Sequence, residues 1–258
     1  MSNDPLVNPG PDSQQPPARQ GKSPAAIILL ILALFVLLLL FCGGVLVALL
    51  VPAVSSARSA ARQVGVRSNL VNLGMAMQQY HEVHQQYPPV AILSDDQPSE
   101  PLASWRVSLV PYLDLVNVAS NWDSWDQTQK WDSPANQSLS EDAPDIYTNY
   151  LIGDGPSNRT NIYGVRHPEG VFSGQSPVSA SDITDGAERT LLAVVLPNRT
   201  VPWAAPDEID LPQLQAALGD ASIDQPVFVL YCNGRVEIFN EPLDALSVEA
   251  LVTINAGD

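Results

Sequence analysis

Twenty-seven consecutive residues, Ala25 to Val51, carry no charged side chain and consist mainly of Leu, Ile, Val and Ala. As a helix, about 20 such residues cross a bilayer hydrocarbon core of about 30 Å, so this run predicts a transmembrane helix with length to spare. Beyond Pro52 the pattern changes but does not stop. Val66, Leu70, Leu73, Met77 and Tyr80 recur at spacings of four, three, four and three, the apolar stripe of a helix lying against a globular body. Tyr87-Pro88-Pro89 closes the stripe, because a residue preceding proline is driven out of the α region. The prediction is one rod with a lipid-embedded first half and a second half that forms the spine of a domain.

Downstream, residues 90–103 are polar and proline-containing and read as loop. Ser104 to Leu113 reads as a short helix capped by Ser104, with Trp105, Leu109 and Leu113 on one face. Residues 117–145 scatter Trp122, Trp125 and Trp131 among polar residues without a repeat, and 146–180 is loop with short strand candidates. Arg189 to Leu196 predicts a strand buried on both faces and ended by Pro197. Asp210 to Gly219 predicts a helix with Asp210 as cap and Gly219 as stop. Val227–Cys232 and Arg235–Phe239 flank Asn233-Gly234, which predicts a hairpin with a two-residue turn whose positions both need φ > 0. A last helix is expected from Ser247 to Asn255, closed by Gly257. One long amino-terminal helix on a meandering antiparallel sheet is an α+β fold. The expected organisation is a disordered cytoplasmic tail over 1–24, a transmembrane helix over 25–53 and an extracytoplasmic domain over 54–258.

Charge sharpens this picture. The chain has 258 residues and a net charge of −16, but residues 1–67 hold five of the 12 basic groups and two of the 28 acids. The remaining seven basic and 26 acidic groups give residues 68–258 a net charge of −19. A domain this acidic repels nucleic acid, whose binding needs basic patches. The tail, with prolines at 5, 9, 11, 16 and 17, has the composition of a disordered segment. The apolar run is far longer than a signal-peptide core, which favours a retained anchor. Arg19 and Lys22 precede it and Arg58, Arg62 and Arg67 follow, a one-charge difference too small to set orientation. Cys42 and Cys232 are the only cysteines and form no disulfide framework. Phe41 before Cys42 does not fit a lipoprotein signal, so Cys42 reads as a plain membrane-embedded thiol.

Val51-Pro52-Ala53-Val54, followed by small residues and arginines, resembles the transmembrane exit of type IV pilins and pseudopilins. More narrowly, an ordered series resembles the DUF1559 proteins, a pilin-like (prepilin-type) family abundant in planctomycete bacteria. Arg67-Ser68-Asn69-Leu70 and Tyr80-His81 to Tyr87-Pro88-Pro89 resemble its helix end. Ser104-Trp105-Arg106, Pro111-Tyr112-Leu113 and Trp131-Asp132-Ser133-Pro134-Ala135-Asn136 resemble its next block. Thr148-Asn149-Tyr150, Asp182-Ile183-Thr184-Asp185-Gly186, Pro202-Trp203 with Pro206, the Asn-Gly hairpin and Leu251-Val252-Thr253-Ile254-Asn255 follow in order, over roughly residues 45–258. The chain also departs from the pattern. The prepilin processing hexapeptide is missing, Phe35 stands where its glutamate would fall, and Val66 and Arg67 occupy the region of the usual cysteine. The family's Asp-Gly hairpin is Asn233-Gly234 here, and Ile223 replaces a histidine ten positions earlier.

The resemblance implies a divergent, single-pass protein of the cytoplasmic (inner) membrane, with its carboxyl-terminal domain in the periplasm or outside. Its role would be that of a structural or interaction protein, pseudopilin-like and associated with type II secretion or the cell surface. The implied partners are the lipid bilayer through 25–51 and either further copies of the chain or secretion and pilus-like components, without nucleic acid. Gly43-Gly44, with Ala48 one small-xxx-small step on, could pack helix to helix. An alternative function is an anchored module binding glycan or calcium through the Trp- and Asp-rich loops.

Candidate chemistry is sparse. His81 and His84 share a helix face near Glu82, but His167 is the only other histidine, so packing or solvated histidines are the simpler reading than metal ligation. Asp182-Ile183-Thr184-Asp185-Gly186 could offer carboxylates to Ca²⁺ but lacks EF-hand spacing and its bidentate Glu, and a tight turn leading into the 189–196 strand explains it without a metal. Trp122, Trp125 and Trp131 with interleaved Asp and Asn could stack a sugar, against a plainer role in packing loops onto the sheet. Gly153-Asp154-Gly155 is too short to cradle phosphate. No nucleophile elbow, Walker loop, dinucleotide fingerprint or zinc-protease motif occurs, so no catalytic, cofactor or metal residues are assigned and an enzyme is not expected.

Overall fold

The computed structural model describes residues 24–97, 99–113, 122–148, 158–174 and 177–255. The tail, Gly153-Asp154-Gly155, Asn149-Tyr150 and Gly257 lie outside the described residues. By internal contacts the chain divides into two units, Met1–Ala57 and Arg58–Asp258.

Helix α1 runs from Pro24 to His84 without a break at Pro52. Residues 24–62 are exposed throughout, including Leu40 and Phe41, and this part of α1 is long and apolar enough to cross a membrane. Within the second unit, Val66, Leu70, Leu73, Met77 and Tyr80 are all buried, as their spacing demands. The helix ends three residues before Tyr87-Pro88. Gln85 takes φ 59° and its N–H bonds to the His81 carbonyl at 2.7 Å, so a left-handed residue terminates α1 and the prolines only follow.

Residues 90–103, expected to be loop, contain a hairpin. Strand β1 (Ala91–Leu93) pairs antiparallel with β2 (Pro101–Ser104). Three apolar residues are too few for a period to show. The helix expected over Ser104–Leu113 is split into α2 (Trp105–Ser108) and a 3₁₀ turn (Val110–Tyr112), because Pro111 cannot donate into a continuing α-helix. A short α3 (Gln137–Ser140) and three two-residue strands follow, β3 (Arg159–Thr160), β4 (Ile162–Tyr163) and β5 (Val165–Arg166). Next come β6 (Leu191–Val195), β7 (Val201–Pro202), β8 (Ile209–Asp210) and α4 (Leu211–Gly219). The chain then forms β9 (Val227–Tyr231), β10 (Val236–Phe239) and α5 (Ala245–Val252).

These elements form an α+β fold, but not one meander. The central antiparallel sheet has order β10-β9-β6-β4, while β1-β2, β3-β7 and the parallel pair β5-β8 stand apart. Strand β6 is buried at every position, as its continuous apolar run implies. On one side of this sheet Leu192, Val195, Phe228 and Leu230 share a core with the α1 stripe. On the other, Val194, Val227 and Val229 share a second core with Leu214, Leu218 and Val248 of α4 and α5. At Gly74 a Cβ would lie 3.2 Å from Gly234 Cα and 3.3 Å from Leu230 Cδ1, so the missing side chain lets α1 approach the β9–β10 hairpin.

That hairpin corrects the expected turn. Gly234 alone has positive φ (83°). Its N–H bonds to the Tyr231 carbonyl and Tyr231 N–H to the Arg235 carbonyl, both at 2.9 Å. The loop is therefore three residues, a turn plus a glycine bulge, not a two-residue turn. The Asn233 N–H is drawn to the Ala187 carbonyl instead (2.9 Å). Asp210 caps α4 as expected, with Gln213 completing a capping box, but Gly219 is its last helical residue and Asp220 follows as the cap. Helix α5 starts and stops earlier than expected because Asp244 accepts from Leu246 and Ser247 N–H and caps it there.

Candidate functional site

The site begins with a buried ion pair. Ser104 caps α2 by accepting the Arg106 N–H (3.3 Å) and donates its hydroxyl to Glu208 Oε1 (3.0 Å). Turning into the interior, Arg106 donates Nε to the Trp203 carbonyl (2.7 Å), Nη1 to the Ile162 carbonyl (2.7 Å) and Nη2 to the Ala205 carbonyl (3.0 Å). It also meets Glu208 Oε1 at 3.0 Å and Oε2 at 3.2 Å, with both side chains fully buried. Glu208 Oε2 also accepts the Gly164 N–H at 2.7 Å. Burial pushes the Glu208 carboxyl up, and the Arg106 guanidinium, the Gly164 N–H and the Ser104 hydroxyl oppose it. Because arginine cannot shed its proton, a neutral glutamic acid would leave a bare charge in the interior, so the pair is ionic.

This pair sets the aromatic floor beside it. The Tyr147 hydroxyl donates to the Arg106 carbonyl (2.7 Å), and burial holds that phenol far above its ordinary range. The Tyr147 ring stacks on Trp203 at 5.6 Å between centroids. Trp203, fully buried, lies 5.9 Å from Trp122 and 6.4 Å from Trp125, which stack on each other at 5.1 Å with planes 22° apart. Unlike Trp203, both are only half-buried.

Trp122 and Trp125 line a cleft of about 650 Å³ with Tyr80, His84, Tyr112, Pro89, Pro111, Ser108, Asp123 and Gln127. Its size falls within the range of small-molecule sites. On one side His84 stacks on Tyr80 (4.2 Å), its Nε2 lies 2.8 Å from the Tyr112 hydroxyl, and Tyr112 meets Tyr80 edge-on. The tryptophan loop is held mainly by Asn136. Asn136, fully buried, accepts the Asp126 N–H (2.8 Å) and donates to the carbonyls of Asp126 (2.9 Å), Gln129 (3.2 Å) and Lys130 (3.1 Å). Trp131 N–H pins the loop to β2 at the Leu102 carbonyl (2.8 Å), and Ser140 Oγ donates to the Trp131 carbonyl.

The sequence-predicted candidates scatter. His84 reaches the cleft, whereas His81 turns away, accepting the Ala180 N–H at 3.1 Å and packing by Tyr87. His167 is a local acceptor for the Glu169 N–H. Asp182 caps a 3₁₀ turn, accepting the Ser179 N–H (2.8 Å) and hydroxyl (2.7 Å), and these bonds hold its carboxyl below the usual value. Among the described residues no three of His, Cys, Asp and Glu gather as a metal-binding group. Trp131 is half-buried against the core and does not line the cleft. Gly43 and Gly44 leave open space at their Cα atoms. Cys42 is exposed, and Cys232 is buried against Tyr87.

Sequence reasoning missed Arg106, Glu208 and Asn136. For Arg106 a signal exists, since it is the one charge inside the apolar run Trp105–Leu113. Glu208, among Pro206, Asp207 and Asp210, has none.

No curated protein and no solved structure matches the chain. Residues 55–146 match the profile of the family described as SBP_bac_10, "Protein of unknown function (DUF1559)". That span holds the buried half of α1, α2 with Arg106, the tryptophan loop and Asn136. Over those residues, the chain is similar to the DUF1559 family.

Proposed function

We propose that this is a membrane-anchored interaction protein of the bacterial envelope, pseudopilin-like in role, tethered by α1 with its acidic domain on the outer side of the cytoplasmic membrane. One observation carries the reading. A single helix has an uncharged, wholly exposed first stretch and a second stretch whose apolar stripe is buried in the domain core. Exposed leucines in such number are tolerated by lipid, not by water. The family series, with the processing hexapeptide missing, supports an uncut anchor rather than filament subunits released by prepilin peptidase.

The test is fractionation and topology in cells. The full chain is expected in the membrane pellet after alkaline carbonate washing, and a chain lacking residues 1–57 outside it. An alkaline phosphatase fused after Asp258 is expected to be active. An active cytoplasmic reporter at the same position would overturn the orientation, and carbonate release of the full chain would overturn the anchor. Co-purification with secretion components, lost on deleting residues 1–57, is the expected sign of the pseudopilin-like role.

A further inference from the structure

The cleft beside the tryptophan pair suits one class of ligand, and we infer that it binds an uncharged saccharide, one pyranose ring lying on the indole face of the Trp122–Trp125 pair. This goes beyond the anchoring role and does not rest on it.

Exposure is the first ground. Trp105 and Trp203, which serve packing, are closed off at 0% exposure, and the half-buried Trp131 packs on the core away from the cleft. Trp122 and Trp125 are instead half-buried, stacked, and turned to a cleft of about 650 Å³. An indole offers a sugar a flat apolar face for its C–H groups while the cleft supplies hydrogen bonds at the ring edge. The described lining provides a carboxylate at Asp123, an amide at Gln127 and a hydroxyl at Ser108.

Charge decides against other ligands. No lysine or arginine lines the cleft among the described residues, and residues 68–258 carry a net charge of −19. Phosphates, uronates and other anions are repelled by that field. An organic cation would need several open aromatic faces converging on it. Tyr80 is 8% exposed and its ring is taken up by His84 and Tyr112, so the tryptophans offer a platform and not a cage.

The platform is also fixed in advance. Trp203 supports it from below, Asn136 ties residues 126–130, and Trp131 N–H is bonded to β2. Little ordering remains for a ligand to impose.

The full chain, held in a polyoxyethylene detergent so that no sugar headgroup competes, is titrated calorimetrically with cellohexaose, chitohexaose, maltohexaose and mannohexaose. Saturable binding of at least one is expected, with a change in tryptophan fluorescence. Trp122→Ala and Trp125→Ala should each weaken it about tenfold or more, and Trp125→Phe distinctly less. If an alanine variant does not fold, Asp123→Asn and Gln127→Ala, both on exposed residues, should still weaken binding several-fold at an unchanged unfolding midpoint. Absence of saturable binding for all four sugars overturns the inference. So does binding that well-folded Trp122→Ala and Trp125→Ala variants retain, or tighter binding of tetramethylammonium or polygalacturonate than of every neutral probe.

Discussion

Replacing Glu208 by glutamine changes one oxygen of a fully buried carboxylate to an amide and leaves the shape of the interior unchanged. Four donors now converge on that carboxylate: two from Arg106, at 3.0 and 3.2 Å, the Ser104 hydroxyl at 3.0 Å and the Gly164 N–H at 2.7 Å. Glutamine keeps one acceptor oxygen; with its amide nitrogen at the Oε2 position two bonds become donor facing donor, and at the Oε1 position one does, because the Ser104 hydroxyl can turn to accept. Hydrogen bonds to charged groups contribute about 1.5–3 kcal/mol each, which puts the loss at about 1.5–6 kcal/mol. Breaking a buried ion pair from one side costs about 3–5 kcal/mol, in agreement. Against a total stability of about 5–15 kcal/mol, that is a large fraction.

The assay is denaturant unfolding of the full chain in detergent, followed by tryptophan emission. All five tryptophans lie between residues 105 and 203, so the signal reports the domain and not the apolar helix. Glu208→Gln is expected to lower the unfolding free energy by about 3–5 kcal/mol. The double change Arg106→Leu with Glu208→Leu should not restore it, although apolar replacement of a buried pair is often neutral. Here Arg106 also serves the carbonyls of Trp203, Ile162 and Ala205, which leucine would strand. A loss below about 1 kcal/mol for Glu208→Gln would show that the site is wet or the pair uncharged, and the reasoning would fail.

Three other perturbations read other parts of the fold. Asn136→Ala should cost about 1–3 kcal/mol in the same assay, because the Asp126 N–H and the carbonyls of Asp126, Gln129 and Lys130 lose their bonds to its buried amide, and should raise acrylamide quenching of tryptophan. The Cys232 thiol is pushed up to about 12 by burial. In a Cys42→Ser background at pH 8 it should therefore react with a disulfide reagent at least about a hundredfold slower than in denaturant. Rapid native labelling would contradict the burial. Asp244 is held below its ordinary value of 3.8 by Ser247 and Leu246 at the start of α5. A lowered folded pKa gives stability that is present above 3.8 and lost as the pH falls through the folded value. Asp244→Asn keeps the cap, so its unfolding midpoint should fall less than wild type between pH 5 and 2. Parallel pH curves would refute that assignment.

What the sequence by itself determined is everything encoded within a turn or two of chain. The uncharged run and the Val66–Tyr80 stripe made α1, Ser104 and Asp210 placed their caps, and the unbroken apolar run made β6 a strand buried on both faces. Each follows from a period or a side chain bonding its own near backbone, so no distant residue had to be known. Only the tertiary structure decided the rest. Strands β3, β4 and β5 are two residues each, too short to carry a period, and exist because β7, β6 and β8 lie alongside. The Asn233-Gly234 turn was set by a carbonyl on Ala187, which claimed the Asn233 N–H. Arg106 and Glu208, 102 positions apart, are joined because a charge taken out of water must find its counter-charge wherever the chain brings one. The Trp122–Trp125 platform likewise rests on Trp203, a neighbour chosen by packing and not by sequence distance.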